Sequence, residues 1–495
     1  MTRTLSLVTL GTLPDAVARP RYMRESLRAG ILHIGVGNFH RAHQAVYLDD
    51  LFNAGRDLDW AILGAGVRGG DTAMREALEA QDWLTTVVEL EPGANQARVT
   101  AAMTGFAPIG DDASAIVDAL DDPSLRIVSL TVTEGGYCID PATGAFNPEH
   151  PEIRCDAANL ERPRGTFGVL AAALRRRRDR GLAPFTVMSC DNIPGNGRVA
   201  RDAVAGLADL IDPALADYVR STVAFPDSMV DRITPATTDR ERSLLAERFG
   251  IKDRWPVFCE PFRQWVLEDH FPAGRPALEE VGVTFTPHVA AYELMKIRIL
   301  NGGHAAIAYP ARLLGIHFVH EAMGDPLVRG FLDRLETEEI IPCVPPVPGI
   351  DLATYYRLIA SRFANPEVGD TIRRLAQDGS NRQPKFILPT IRDRVKTGAP
   401  IPGLALVSAL WCRYCAGTNE AGAPIPVDDT NAHRLVPVAQ AAKDDPAAFL
   451  AQQDIFGELG DIPAFHEAFA SNLRSLWRDG TRKTLERYLE GRLGH

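Results

Sequence analysis

Residues 31–37 read Ile-Leu-His-Ile-Gly-Val-Gly, a short apolar run that ends on two glycines one residue apart. Directly after it, residues 40–52 space their apolar side chains at helical intervals. A buried strand turning tightly into a helix restricts the fold. The helix must cover the sheet, and the chain must cross back before another strand can pair in parallel. The pattern then repeats: strand-like stretches at 60–63, 84–90, 99–103, 126–132 and 185–189 alternate with helix-like stretches at 72–80, 113–120, 166–180 and 197–211. This alternation predicts an α/β fold with a doubly wound, largely parallel sheet and helices on both faces.

From about residue 290 helical periodicity dominates, at 292–299, 305–313, 326–339, 401–415 and 463–489. Pro- and Gly-rich segments at 342–349 and 417–426 mark breaks. With 282–287 as the last strand-like piece, the sequence predicts two domains, 1–285 and 286–495, the second mostly helical. The chain has 495 residues, 45% hydrophobic and 24% charged, enough to bury a large core and inconsistent with disorder as the main state. Lys plus Arg is 53 against 64 Asp plus Glu, a net charge of −11, which disfavours nucleic acid as a partner. The basic run 175–178 lies in a helix-like stretch and reads as a solvated helix end. No 18-residue apolar stretch predicts a membrane span, and the N-terminus lacks the order of a signal peptide. The 7 cysteines are scattered, as in a reducing cytosol, so a cytoplasmic location is expected.

In Gly35-Val36-Gly37-Asn38-Phe39-His40 the first glycine permits a tight turn and the second lets backbone approach a pyrophosphate. The third glycine of G-x-G-x-x-G is absent, since position 40 is His, so a dinucleotide loop and an ordinary tight turn both remain open. A ribose-binding carboxylate past the second strand would be Asp71, which would repel a 2′-phosphate and favours NAD. Arg68 nearby is the argument for NADP.

Three segments concentrate polar chemistry: 189–197, 225–235 and 292–304. The last carries Lys296, Asn301 and His304. In a regular helix Lys296 and His304 share a face, with Asn301 three residues from His304 and Gly302-Gly303 as a local distortion. Oxidising an alcohol needs a base for the hydroxyl proton as hydride leaves, which a lysine can be. Side-chain amides such as Asn192 and Asn301 can hold the developing alkoxide. On spacing alone, a surface lysine and a satisfied core histidine fit as well. Tyr292-x-x-x-Lys296 matches the spacing of short-chain dehydrogenases, but those chains are about half as long and space their glycines differently. No metal is expected: Cys412-Arg413-Tyr414-Cys415 is a lone C-x-x-C in an apolar helical stretch, and His317, His320 and Glu321 form no H-E-x-x-H.

Taken in order, six or more segments resemble the polyol-specific long-chain dehydrogenase/reductase family: 35–44, 133–140, 189–192, 229–235, Cys259-Glu260-Pro261-Phe262 with Gln264-Trp265-Val266, 295–302 and Pro384-Lys385-Phe386. The resemblance spans roughly residues 30–490. It implies a Rossmann-type N-terminal domain and a mostly α-helical C-terminal domain of the 6-phosphogluconate dehydrogenase C-terminal-like kind. It implies NAD(P)-dependent, metal-independent interconversion of a polyol and a ketose, with D-mannitol and D-fructose as the first pair. D-arabinitol, D-sorbitol or a uronate such as fructuronate are the alternatives. It assigns Lys296 as general acid/base, Asn192 and Asn301 to polarise the reacting oxygen, His304 to orient substrate and Glu293 to relay the lysine proton. Gly35, Gly37, Asn38, Phe39 and Asp71 fall to the cofactor, and Val230, Asp231, Arg374 and Arg382 to substrate. Arg382 stands where a lysine is expected, and Gly70 replaces an acidic residue often found beside the position of Asp71. The resemblance also implies a monomer. A non-catalytic nucleotide-binding protein on the same scaffold is the remaining alternative, opposed by the intact Lys296, Asn192, Asn301 and His304.

Overall fold

The computed structural model describes residues 2–108, 110–140 and 144–493. The chain falls into two compact units, Met1–Ala290 and Ala291–His495.

The first unit is built on five strands, β1 (Ala29–Ile34), β2 (Ala61–Ala65), β3 (Met103–Phe106), β4 (Ile127–Leu130) and β5 (Thr186–Ser189). Every pairing is parallel and the spatial order is β3-β2-β1-β4-β5. Alternate side chains explain why the strands are buried on both faces. Leu32, Ile34, Val128 and Leu130 enter one core, and Ile31, Ile62, Ile127 and Met188 enter the other. The order turns back between β1 and β4, so the chain leaves both strands in opposite directions and opens a crevice at their carboxyl ends.

Two local expectations change. The helix expected over 40–52 is two helices, α1 (Asn38–Ala42) and α2 (Gln44–Asn53), broken at His43 with φ −119 and ψ −86. His43 Nε2 donates to the Gln264 carbonyl at 2.9 Å and its ring stacks on Phe39, so tertiary contacts override helical periodicity there. The strand expected over 99–103 is also two: Gln96–Thr100 pairs antiparallel with Thr85–Glu89 in a separate sheet, and Met103–Phe106 is β3. At the switch the Ala101 N–H donates to Asp49 instead of to a strand. The helices α3 (Asp71–Glu79), α4 (Thr166–Asp179) and α5 (Asn196–Asp209) complete the layers. A smaller sheet pairs Ser228–Asp231 with Gln264–Leu267 and the latter with Thr284–Phe285.

The second unit is helical. Its leading segment runs α6 (Val289–Met295), a π turn (Lys296–Asn301) and α7 (Gly302–Leu313) without interruption. The distortion lies before Gly302-Gly303, not at it. The helix expected over 326–339 is α8 (Pro326–Leu335) followed by a second π turn (Glu336–Ile340). Further on lie α9 (Leu352–Phe363), α10 (Pro402–Cys415), α11 (Pro463–Asp479) and α12 (Thr481–Leu489). The last two replace one helix expected over 463–489, because Gly480 at φ 84 breaks the run. Trp411, Phe449, Phe456 and Phe469 pack ring against ring in the core. Cys412 and Cys415 are buried free thiols on α10. Among the described residues no group of three or more His, Cys, Asp or Glu is placed to hold a metal ion, and no helix is long and apolar enough to cross a membrane.

Candidate active site

At the carboxyl end of β1 the chain enters a cavity of 280 Å³ lined by Gly35, Gly37, Arg68, Asp71, Met74 and Thr131, among others. Gly35 sits at φ 95, and a Cβ there would run into the Thr131 carbonyl. At Gly37 a Cβ would meet nothing nearer than the Gly35 oxygen at 3.8 Å, so this stretch of backbone is open to a ligand. A Cβ on Gly66 would come within 2.6 Å of the Asp71 Cβ, so glycine at 66 makes room for that side chain. Asp71 begins α3, and its Oδ2 accepts the Arg68 N–H at 3.0 Å. No bond to its Oδ1 is found among the described residues, which leaves it available to a ribose hydroxyl. The Arg68 guanidinium instead lies near Gly136, with Glu152 within electrostatic range. A glycine-lined turn facing a carboxylate at this end of a parallel sheet fits a dinucleotide with free ribose hydroxyls. Asn38 and Phe39 do not line this cavity: Asn38 Oδ1 accepts from Arg41 at 2.7 Å, and Phe39 stacks on His43.

The segment after β5 explains its own composition. Gly195 takes the left-handed conformation at φ 61, and a Cβ on Gly197 would come within 2.6 Å of the Pro226 carbonyl. Between them Asn196, fully buried, donates to the carbonyls of Asp191 at 3.0 Å and Ser228 at 2.8 Å and accepts from Ser228 N at 2.9 Å. One side chain thereby ties the turn bearing Asn192 to the strand bearing Val230 and Asp231. Asn192 itself is exposed, Val230 lies in an apolar core cluster, and Asp231 is buried. Asp191 accepts from Val132 N at 3.0 Å, Thr133 N at 2.8 Å and the Tyr137 hydroxyl at 2.8 Å. Burial raises its pKa, and these donors pull the other way. They hold a loop in which Thr133 sits at φ 66, an unusual place for a β-branched residue.

In the second unit the π turn sets the geometry. In a straight α-helix, residues five apart lie about 140° apart around the axis. A π turn closes its ring over five residues, so Lys296 and Asn301 fall one above the other. From Lys296 to His304 is eight residues; less the one the wide turn absorbs, about two turns remain. Lys296, Asn301 and His304 therefore share a face, and π turns often mark functional sites. Lys296 is 7% exposed. Asn301 Oδ1 and His304 Nε2 are shut off from solvent with no hydrogen-bond partner among the described residues. Orphaned polar atoms of this kind call for a ligand or water. Glu293, on α6 one turn before Lys296, is half-buried.

His304 stacks on Phe363 at 4.1 Å. Burial first, then Arg374, Arg362 and Arg382, holds its imidazole well below the ordinary range, so it is neutral. Arg374 and Arg382 thus gather around His304. Arg374 forms a fork on Asp370, with Nε–Oδ1 at 2.6 Å and NH2–Oδ2 at 2.5 Å, and Arg382 donates to the Leu375 carbonyl at 2.7 Å. Sequence reasoning missed Asp191, Asn196, Thr131 and Arg362. Asn196 and Asp191 lay inside a segment already picked out as polar; Thr131 and Arg362 carried no local signal.

Known proteins place this arrangement. Residues 29–280 match the model of the mannitol dehydrogenase Rossmann domain, and residues 288–477 that of the mannitol dehydrogenase C-terminal domain. The chain is 59% identical over 474 residues to a mannitol 2-dehydrogenase of Cereibacter sphaeroides, covering 96% of this chain and 99% of that one. It is similar to the solved Pseudomonas fluorescens mannitol 2-dehydrogenase in ternary complex with NAD and D-mannitol, at TM-score 0.88 and 43% identity over 99% of this chain and 100% of that one. It is also similar to a D-sorbitol dehydrogenase solved in substrate-free form, at TM-score 0.90 and 34% identity over 97% and 100%. Matched by both domain models and along nearly its whole length by these relatives, the chain belongs to the mannitol dehydrogenase family.

Proposed function

We propose that this chain is an NAD-dependent, metal-independent polyol dehydrogenase that oxidises D-mannitol to D-fructose and runs the reverse reduction. The observation that carries the chemistry is buried Lys296 one π turn from Asn301, whose Oδ1 has no partner among the described residues. The substrate is supported by the 59% identity to a protein named mannitol 2-dehydrogenase. Residues 1–285 serve as the dinucleotide-binding domain and 286–495 as the substrate domain.

NAD, when bound, supplies the hydride acceptor; Gly35, Gly37 and Asp71 would hold it, with Asn38 and Phe39 assigned to the same task by resemblance. Lys296, as the free amine, takes the proton of the reacting hydroxyl and returns it in the reverse direction. Glu293 passes that proton onward. The amides of Asn192 and Asn301 donate to the developing alkoxide. Neutral His304 orients a substrate hydroxyl, and Val230, Asp231, Arg374 and Arg382 contact the rest of the polyol. Arg374 is already forked on Asp370, so its charge is largely answered, which favours a neutral polyol over a uronate. The likeness to a D-sorbitol dehydrogenase keeps D-sorbitol as the second reading. The same reading makes the enzyme a cytoplasmic monomer of 54.0 kDa, which light scattering tests.

The deciding experiment follows NADH absorbance with D-fructose, then with NADPH in place of NADH, and with fructuronate and L-sorbose in place of fructose. Rapid NADH oxidation by fructose is expected. Turnover confined to fructuronate would keep the fold and the Lys296 chemistry but move the substrate to a uronate bound by Arg374 and Arg382.

A further inference from the structure

Beneath the glycine turn the apolar face of the first unit contains polar residues that the proposed mechanism does not use. His33 on β1 and Ser129 on β4 are direct cross-strand partners and both are fully buried. Their side chains meet at 2.7 Å between His33 Nδ1 and Ser129 Oγ. The other ring nitrogen, Nε2, lies 2.9 Å from Thr131 Oγ1 and 3.2 Å from the Gly35 carbonyl. Thr131 Oγ1 is itself 2.5 Å from that carbonyl. Gln44 on α2 lies with its side-chain oxygen position 3.0 Å from Ser129 Oγ, and the ring of His40 lies stacked 3.4 Å from that of His33.

Counting donors orders this cluster. A carbonyl only accepts, so the single Thr131 hydroxyl proton goes to Gly35. His33 Nε2 then has to carry a proton, which it gives to Thr131 Oγ1 and the Gly35 carbonyl. A neutral ring has one N–H, so Nδ1 accepts, and the Ser129 hydroxyl donates to it. Ser129 has then spent its proton and can only accept from Gln44, so of the two orientations of that amide the donor count requires the one with NH₂, not Oε1, toward Ser129. That assignment gives a partner to the Gln44 nitrogen, which otherwise has none among the described residues.

We propose that Gln44, Ser129 and His33 form a one-way hydrogen-bond chain that positions the cofactor turn by locking the Gly35 carbonyl. His33 is the last positioning residue in that chain. The Gly37 N–H, 2.7 Å from the same carbonyl, is fixed with it. The chain touches neither the reacting carbon nor the hydride, so its effect is on dinucleotide affinity and not on the chemical step. This inference rests on the reading of the cavity as a dinucleotide site.

The test uses the full chain and NADH binding by fluorescence titration. Gln44→Glu keeps the volume but removes the donor, and Ser129→Ala removes the link. Each should weaken NADH binding about tenfold, the worth of one buried hydrogen bond. Turnover at saturating NAD should stay within about twofold, and the double variant should be no worse than the single ones, because one broken link opens the chain. Leu48→Ala, an apolar truncation on the same helix, should lower the thermal midpoint at least as much and leave NADH affinity unchanged. Histidine ¹⁵N shifts should show His33 neutral and protonated at Nε2. Unchanged affinity in both polar variants, equal weakening by Leu48→Ala, or a proton at Nδ1 would each overturn the proposal. Failure of the wild-type chain to bind NADH would instead overturn the dinucleotide reading beneath it.

Discussion

At the scale of single residues, Asn301 is of interest because its buried amide oxygen has no hydrogen-bond partner among the described residues. That loss makes sense if a substrate hydroxyl completes it, one π turn from Lys296, which is 7% exposed. Lys296→Ala should therefore lower kcat by about 10² to 10⁴, the usual range for a lost acid/base, with NADH affinity unchanged. Asn301→Ala should lower kcat less steeply and leave the midpoint of unfolding at or above the wild-type value, since an orphaned buried amide is removed. Stopped-flow transients and a melting curve measure both, and wild-type turnover in either variant would take that residue out of the mechanism. Asp71 works differently. Its carboxylate lines the glycine-turn cavity, and Arg68 lies near Gly136 and within electrostatic range of Glu152. Asp71→Ser should raise kcat/KM with NADPH about tenfold and lower it with NADH by a similar factor, the equivalent of about 1.4 kcal/mol each way. A steady-state comparison of the two nucleotides checks it.

At the scale of elements, the sheet was legible because parallel strands buried on both faces leave mostly apolar runs, as 31–34 and 127–130 do, each with one polar residue. The helix break at His43 was not, because it is made by contacts to Gln264 and Phe39, the first of them more than two hundred residues away. The π turn was the more consequential omission. Periodicity counts every helix at 3.6 residues per turn, which puts Asn301 off the Lys296 face although both stand out as polar residues of one segment. The motif resemblance named both residues; the extra residue in the turn supplies the physical reason they act together. The second π turn carries its own oddity. Glu336 is fully buried, neither carboxyl oxygen has a hydrogen-bond partner among the described residues, and Oε1 lies 3.1 Å from where a Gly303 Cβ would be. Burial raises its pKa well above the ordinary carboxylate value. Because the folded value lies above the unfolded one, of about 4.3, its contribution to stability is present in acid and is lost as pH rises through the folded value. Glu336→Gln keeps the neutral shape without that proton uptake. Its melting temperature should match wild type near pH 4 and exceed it at pH 8 by about 2–4 °C, roughly 1 kcal/mol for a domain of this size. Parallel wild-type and variant curves across that range would show that Glu336 is ionised in the fold.

At the scale of the whole molecule, ligand binding and stability are one measurement seen twice. The residues lining the dinucleotide cavity run from Ile34 to Trp255, all inside the first compact unit. A ligand that binds only the folded form stabilises the unit that holds it, by about 2.7 kcal/mol at a hundredfold its dissociation constant. With two compact units in one chain, a single two-state transition is not assured, and a calorimetric scan reports each cooperative unit separately. NADH at that concentration should raise the transition that unfolds the first unit by several degrees. NADPH at the same concentration should raise it far less if, as proposed, Asp71 holds the ribose hydroxyls and would repel the added phosphate. In Asp71→Ser the two nucleotides should shift the transition nearly equally, which ties the thermal effect to the same carboxylate that sets the kinetic preference. Equal shifts in the unaltered protein would remove Asp71 from cofactor choice, and no shift with NADH would remove the glycine-lined cavity from cofactor binding altogether.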